Sequence, residues 1–274
     1  MRQILYILLI TLTVGVSPAF GDRWDFVRFQ ENDSNLPGSY KNLRNNFEGI
    51  VAKRIHAFSI YGGDCLTGTY TDGSGKGDCS YESVRSMLRE LASGGRGNFP
   101  QPDQAWYAWD MLIPADFPTY TQQTGGGYIF AQWKGFDCPH ASIAHNSRAG
   151  SGNQLILRLQ KTTGQHDCAA VAEINLMSMR EFKGRWRHIE VFANWSNGAN
   201  GQITVFIDGK QRGAYRGPTL DPNIRAQNGQ DNAPNHFDYG VYLCCTRGVH
   251  LVQPGTLYFA NVERARNREN LARR

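Results

Sequence analysis

Beyond its N-terminal region the chain lacks any hydrophobic run long enough to cross a bilayer. At the N-terminus, Arg2 precedes a short apolar run at residues 4–16, and small residues lead up to a cut between Gly21 and Asp22. Such a sequence is typical of a secretory signal peptide, and the run is too short for a spanning helix. We therefore predict that residues 1–21 are removed and that the protein is secreted, to the periplasm or outside the cell, without membrane association.

The chain also lacks a C-x-x-C pair, so its six cysteines do not indicate a zinc ribbon. In an exported chain they favour disulfide bonds instead. Cys65 and Cys79 bracket a glycine-rich loop, CLTGTYTDGSGKGDC, and are the pair that the sequence predicts most directly. Closing a loop of this size contributes about 3 kcal/mol to stability by the chain-entropy argument.

Cys244 and Cys245 are adjacent on a predicted strand. Neighbouring side chains on a strand point to opposite faces, so these two cysteines are not expected to bond to each other. We expect each of them to pair with a distant cysteine, and Cys138 and Cys168 are the candidates.

Repeats, long Pro/Ser linkers and shifts in composition that would mark domain boundaries are all absent. Instead, 30 glycines and recurrent turn signals separate short segments of alternating polarity. These segments include WYAWDMLIP, GYIFAQWKG, NQLILRLQK, WRHIEVFANW, QITVFIDGK, HFDYGVYLC and GTLYFANVE. Regular short strands between glycine-rich turns favour a β-sandwich or jelly roll. We predict a single all-β domain over residues 22–274, a β-jelly-roll sandwich of two antiparallel sheets with few short helices.

Helical signals occur at three places only. We expect short helices around residues 39–47, around residues 177–182 and in the C-terminal tail. The pattern W-x-x-I-x-V … G-x-I-x-V-x-I-D-G predicts a hairpin in which Trp186 is an anchor and Asp208 forms a turn. This hairpin resembles sheets of the lectin and laminin-G-like sandwich superfamily. The resemblance predicts the fold but gives little information about activity.

Basic residues outnumber acidic ones, 29 to 24, which gives a net charge of +5. A basic exported protein could meet nucleic acid, a membrane surface or an acidic polysaccharide. Much of the excess lies in the tail ERARNRENLARR, which is typical of a solvated chain end. No nucleic-acid-binding motif accompanies the charge, so nucleic acid is not an expected partner.

Three predicted strands carry an unusual polar and aromatic face. In HFDYGVYLCC, residues 236–245, alternation places His236, Asp238 and Tyr242 opposite an apolar face. Two further strands show the same feature, with Tyr128, Gln132 and Lys134 in YIFAQWKG and with Arg85 and Arg89 in SVRSMLREL. If all three strands line the concave side of one curved sheet, they form a groove of cationic, amide and phenolic groups.

The three strands resemble those of the β-jelly-roll polysaccharide lyases, the group of alginate lyases, glucuronan lyases and relatives of heparin lyase I. The pattern of that family is an R-S-E-L-R-E strand, a Q-x-H strand and a Y-F-K-x-G-x-Y strand. The matching segments here are R-S-M-L-R-E at 85–90, Q-W-K at 132–134 and H-F-D-Y-G-V-Y at 236–242. The likeness extends over about residues 81–262. It implies that Arg85 and Gln132 meet a substrate carboxylate and that Tyr242 transfers protons.

The chain departs from the family pattern at three positions. Met87 stands in place of a Glu, Asp238 in place of a Lys, and Lys134 in place of the family's His. A base other than this histidine is therefore needed, and Tyr242 is the first candidate. His140, in the segment CPHAS beyond Lys134, is the second candidate.

These residue types suit β-elimination across C4–C5 of a uronate. The reaction removes a proton alpha to a carboxylate, whose charge resists the formation of a dianion. A cation or amide donor at the carboxylate stabilises the developing charge. A tyrosine near a cation loses its own proton more readily, takes the C5 proton and returns one to the leaving O4. Tyr242 beside Arg85 and Lys134 would meet that need without a histidine.

We therefore expect a secreted polysaccharide lyase that acts on a uronate-containing acidic polysaccharide, as a monomer without a cofactor; a structural Ca²⁺ is left open. One alternative is a non-catalytic carbohydrate-binding module of the same fold. The alternative ranked last is a glycoside hydrolase of this fold, which needs two spaced carboxylates, because the E-x-D-x-x-E strand of laminarinase-like hydrolases is absent. The expected catalytic residues are Tyr242, Gln132, Arg85, Lys134 and His140, and the expected substrate-binding residues are Arg89, His236, Asp238 and Tyr128.

Overall fold

The computed structural model describes residues 23–24, 29–31, 38–61, 83–90, 104–118, 127–134, 138–146, 153–164, 167–221, 236–243 and 253–271. The predicted signal peptide, the Cys65–Cys79 pair, and Cys244 and Cys245 themselves lie outside these residues. No helix in this part of the chain is long and apolar enough to cross a membrane.

Strands make up most of the described chain, which confirms the all-β prediction. They are β1 (Arg23–Trp24), β2 (Phe29–Glu31), β3 (Tyr40–Phe47), β4 (Ile50–Ile60), β5 (Val84–Glu90), β6 (Gln104–Leu112), β7 (Tyr128–Lys134), β8 (Pro139–Asn146), β9 (Gln154–Gly164), β10 (Asp167–Ser178), β11 (Arg187–Asn194), β12 (Gln202–Ile207), β13 (Lys210–Arg216), β14 (His236–Leu243) and β15 (Gly255–Ala265). A single-turn helix α1 spans Met179–Phe182, and a 3₁₀ turn spans Arg268–Asn270.

The strands form two antiparallel sheets. The eight-stranded sheet has the order β13-β12-β11-β6-β15-β4-β3, with β1 paired to β15. The seven-stranded sheet has the order β10-β9-β8-β7-β14-β5-β2. Strands that are distant in the chain are therefore neighbours in the sheet, and β14 lies between β5 and β7.

Aromatic side chains fill the core between the two sheets. Tyr107 and Trp109 of β6 face Trp133 of β7 and Phe237 of β14, with ring centroids 5.2 to 6.4 Å apart. The apolar face of β14 continues with Tyr239, Val241 and Leu243, all fully buried. Burial of a large apolar side chain stabilises the fold by about 1.5–3 kcal/mol, so β14 is firmly held on its core side.

The predicted hairpin around Asp208 is confirmed. β11 and β12 pair from Ile189 with Ile207 to Asn194 with Gln202. The next connection, from β12 to β13, is the two-residue turn Asp208-Gly209, whose φ angles are 52° and 73°. Positive φ at both central residues is what a type I′ hairpin turn requires, which explains the Asp-Gly sequence.

The expectation of a helix at residues 39–47 is wrong, because this segment forms the edge strand β3 paired with β4. The register shifts between Leu43 and Asn45, a β-bulge that adds one residue to the alternation. Tyr40, Leu43 and Phe47 then recur at a spacing that a helix also shows. The second expected helix exists, shortened to the single turn α1.

Cys138 and Cys168 are bonded to each other, so the expectation that they pair with Cys244 and Cys245 is wrong. Cys138 directly precedes β8 and Cys168 lies at the start of β10. Because β8 and β10 both pair with β9, the two cysteines meet at one end of this three-stranded unit, with Cα atoms 5.7 Å apart.

Replacing Cys138 and Cys168 together by serine should lower the free energy of unfolding by about 3–4 kcal/mol, because the unfolded chain regains the entropy of the closed loop. Urea denaturation measures the effect. Val171→Ser is the control, since Val171 of β10 is 50% exposed and its replacement should change stability by less than about 0.5 kcal/mol. Equal stability of the double variant and the control would contradict the proposed contribution of the bond.

Candidate active site

The three strands with polar faces lie side by side, as predicted. β14 is hydrogen-bonded to β5 on one side and to β7 on the other. Directly opposed residues of antiparallel strands share a face of the sheet, and Asp238 is opposite both Arg89 and Gln132. We call this face, which points away from the core, the polar face. Its members on β14 are His236, Asp238, Gly240 and Tyr242.

Asp238 lies at the centre of a network that spans all three strands. Arg89 binds its carboxylate side-on, with Nε 3.1 Å from Oδ1 and Nη2 3.3 Å from Oδ2. Gln132 donates from Nε2 to Oδ2 at 3.0 Å, and His236 Nε2 lies 3.5 Å from the same oxygen. The Asp238 side chain is entirely buried, whereas that of Arg89 is 36% exposed. The three neighbours replace the water that a buried carboxylate has lost.

The charge of Asp238 is fixed by these neighbours. Desolvation by burial, the largest effect, raises the pKa of this carboxyl group. The charges of His236 and Arg89 and their hydrogen bonds outweigh it, so the pKa of Asp238 lies well below its usual range. Asp238 is therefore a carboxylate throughout the neutral pH range.

Arg85 and Tyr242 form a second group on the polar face. They are opposite each other on β5 and β14, and the Arg85 guanidinium carbon lies 4.2 Å from the centroid of the Tyr242 ring. Arg85 is buried and Tyr242 is half-buried. Tyr242 also packs against an apolar cluster made by Ile129, Ala144 and Ile156. A cation against an aromatic ring in such a partly desolvated place contributes about 1–2 kcal/mol.

The two groups lie at different levels of the sheet. Along β14, Tyr242 is four residues from Asp238 and six residues from His236, which correspond to roughly 13 and 20 Å of strand. Lys134 is opposite His236. The expectation that Tyr242 lies beside Arg85 is confirmed, but the expectation that it lies beside Lys134 is wrong, because the strand register separates them.

Gly240 occupies the position between the two groups. Its φ is 139°, and a Cβ there would lie 2.3 Å from the backbone oxygen of Ser86. Both the conformation and the close approach of β5 require glycine. β14 therefore presents no side chain between Asp238 and Tyr242.

Tyr128 does not lie on the polar face, and the expectation that it does is wrong. The pairing of β7 with β8 shifts between Ile129 and Ala131, a β-bulge whose extra residue reverses the alternation. Tyr128 consequently points into the core and is 1% exposed. Ile129 takes its place on the polar face, opposite Tyr242.

His140 is buried, and its surroundings argue against its role as the base. Its Nδ1 accepts a hydrogen bond from the backbone N–H of Asp221 at 3.2 Å. Burial lowers the pKa of His140 to about 4, with Asp221 opposing the shift and His236 adding to it. The ring is then neutral at neutral pH. Its one proton is on Nε2 because Nδ1 accepts, so neither nitrogen is available to take a substrate proton.

Three more strands continue the line of directly opposed residues that contains Arg89, Asp238 and Gln132. Ser142 of β8 is opposite Gln132, Arg158 of β9 is opposite Ser142, and Glu173 of β10 is opposite Arg158. Arg158 Nε binds Glu173 Oε1 at 2.7 Å. The sequence analysis did not identify these residues, although alternation in PHASIAHN and QLILRLQK predicts that Ser142 and Arg158 lie on one face of their strands. No group of three or more His, Cys, Asp or Glu side chains in the described ranges is arranged to hold a metal ion.

Comparisons with known proteins agree with this architecture. A family model described as polysaccharide lyase matches residues 52–263. Among solved structures, the chain is similar to an endo-β-1,4-glucuronan lyase from the fungus Trichoderma reesei, with 14% identity, a TM-score of 0.53, and 88% of this chain and 97% of that chain covered. This likeness supports the jelly-roll fold. A search of curated protein sequences found no match.

Two alginate lyases show similar coverage. AlgAT5, from polysaccharide lyase family 7, is 14% identical with a TM-score of 0.49, covering 84% of this chain and 83% of its own. The enzyme vAL-1 from Chlorella virus is 14% identical with a TM-score of 0.47, covering 87% of this chain and 93% of its own.

Asp238→Asn should lower the free energy of unfolding at neutral pH by about 2 kcal/mol, because it leaves the cations without their carboxylate. The folded pKa of Asp238 lies below the unfolded value, near 3.9. Its stabilisation is thus complete above the unfolded pKa, and it is lost progressively as pH falls from that value through the folded pKa. Urea titrations should therefore show a constant difference from wild type between about pH 7 and pH 5 that shrinks below about pH 4.

Glu173→Gln is the matched control for this titration, since it removes the same charge from a more exposed carboxylate, 24% exposed against 0% for Asp238. Its effect should be about 1 kcal/mol or less. A difference between wild type and Asp238→Asn that is absent at neutral pH, or that grows on acidification, would contradict the assigned charge of Asp238.

Proposed function

Because the chain belongs to the polysaccharide lyase family, we propose that its substrate is a uronate-containing acidic polysaccharide, cleaved by β-elimination, and that the protein works after export. The cations Arg85 and Lys134 on the polar face support an acidic substrate, as does the net charge of +5. The predicted signal peptide and the Cys138–Cys168 bond support an oxidising compartment outside the cytoplasm.

One contact carries the proposed chemistry, the Arg85 guanidinium at 4.2 Å from the Tyr242 ring centroid. A positive charge next to a tyrosine stabilises the phenolate and so favours loss of its proton. Arg85 is 5% exposed, and charge interactions are stronger in such a desolvated position than in water. The same guanidinium suits a carboxylate by shape and charge, so it can hold the reacting uronate.

The proposed reaction is balanced without water. Tyr242 takes the proton from C5, the electron pair of that bond forms the C4=C5 double bond, and the C4–O4 bond breaks. The departing sugar keeps O4 and receives a proton from Tyr242. Arg85 stabilises the negative charge that develops on the uronate carboxylate as the proton leaves.

The other residues of the polar face are assigned to binding the sugar chain. Arg89, Lys134 and His236 lie at the level of Asp238 or beyond it, too far along the strands for contact with the atoms that react at Tyr242. The amide of Gln132 donates to Asp238, so we transfer its expected role at the reacting carboxylate to Arg85.

Tyr242→Phe should leave the fold and substrate binding intact and reduce turnover by about 10²–10⁴-fold, because only the hydroxyl that moves the proton is lost. Alginate, glucuronan, heparin and hyaluronan form the substrate panel, and ultraviolet absorbance of the new C4=C5 bond measures the rate. Tyr258→Phe is the control, since Tyr258 of β15 is half-buried and packs against a cluster in the other sheet.

Two results would count against this assignment. If wild type cuts a uronate polymer and Tyr242→Phe cuts it equally fast, Tyr242 does not transfer the proton. If wild type cuts none of a broad uronate panel, the proposed substrate class is wrong.

A further inference from the structure

The amide group of Gln132 is held in one orientation. Its Nε2 donates to Asp238 Oδ2 at 3.0 Å, and an ionised carboxylate only accepts hydrogen bonds, so the NH₂ group has to face it. The carbonyl oxygen Oε1 then points away from Asp238. This oxygen is buried and accepts no hydrogen bond from any residue that the structure describes. A buried acceptor without a donor costs about 1–3 kcal/mol, so Oε1 favours a donor from outside the chain.

A second atom of the same kind lies on the neighbouring strand. Ser142 is opposite Gln132 across β7 and β8, so both side chains are on the polar face. Ser142 is fully buried, and its Oγ has no hydrogen-bond partner within the described residues either. A carbonyl that accepts and a hydroxyl that donates or accepts together suit an incoming hydroxyl group.

The same pair does not suit an incoming carboxylate. A carboxylate has no proton to give to Gln132 Oε1, and the permanent negative charge of Asp238 repels it. The cations on either side are already engaged, Arg89 by Asp238 and Arg158 by Glu173. The local charge is therefore balanced before any ligand arrives.

We propose that Asp238 turns Gln132 into a group that recognises a hydroxyl, so that Gln132 and Ser142 form a subsite for an uncharged sugar hydroxyl and not for a uronate carboxylate. Asp238 acts as a positioning residue, through Gln132, without touching the substrate. This inference rests on the proposed function and deepens it. The sugar chain is bound with a hydroxyl at this level of the sheet and with its reacting carboxylate at Arg85.

Binding of a uronate tetrasaccharide and of its carboxyl-reduced, neutral counterpart tests the inference by calorimetry, in the Tyr242→Phe background to slow cleavage. Asp238→Asn should strengthen binding of the acidic ligand about tenfold. The amide of Gln132 is then able to turn its NH₂ group toward the ligand carboxylate, and Arg89 loses its counter-charge. The dissociation constant of the neutral ligand should change by less than about twofold. Glu173→Gln removes the same charge on β10, at the edge of the sheet. It should change the dissociation constant of neither ligand by more than about twofold.

Ser142→Ala keeps the test independent of the folding of Asp238→Asn, because it only removes a hydroxyl group. It should weaken the acidic and the neutral ligand equally, by about three- to tenfold, as expected for the loss of one hydrogen bond. A loss confined to the acidic ligand would show that a carboxylate is bound there and would overturn the inference.

The remaining outcomes separate the inference from the function on which it rests. No tightening of the acidic ligand by Asp238→Asn, or equal tightening by Glu173→Gln, overturns the inference alone. Absence of binding of either tetrasaccharide to the protein overturns the proposed function, and the inference with it.

Discussion

Strand β14 has to satisfy two environments at once, and this constraint ties the site to the core. Its inward residues are Phe237, Tyr239, Val241 and Leu243, each fully buried between the sheets. A shift of register by one residue would turn all of them outward, so their burial fixes the position of β14 between β5 and β7. Its outward residues are thereby placed as well, and they are His236, Asp238, Gly240 and Tyr242. The energy that packs the core also holds the polar face in place.

Charge on this face is arranged in two unequal parts. At one level Asp238 is balanced by Arg89, His236 and Gln132, which leaves little net charge for a ligand. At the other level Arg85 lies against Tyr242, with no carboxylate opposite it on β14. The level of Arg85 and Tyr242 suits the reaction, in which negative charge develops, and the level of Asp238 suits the recognition of neutral groups.

Sequence reasoning succeeded where local chemistry decides the structure. Period-two alternation identified the two faces of β14, and Asp208 identified a turn. It failed where a single added residue or a distant neighbour decides. The bulge in β7 places Tyr128 in the core. The order of the strands brings Cys138 next to Cys168. The register of β7 and β14 separates Lys134 from Tyr242. These features depend on pairing between strands that are far apart in the chain, which alternation within one strand does not encode.

We propose that this protein cleaves a uronate polymer by elimination and without water. Mass spectrometry of the products from a purified uronate polymer distinguishes elimination from hydrolysis. We expect fragments whose new ends carry a C4=C5 double bond, each lighter by one water than the corresponding hydrolysis product. Fragments that contain the elements of water, or an intact polymer after prolonged incubation with the whole panel of uronate polymers, would contradict this proposal.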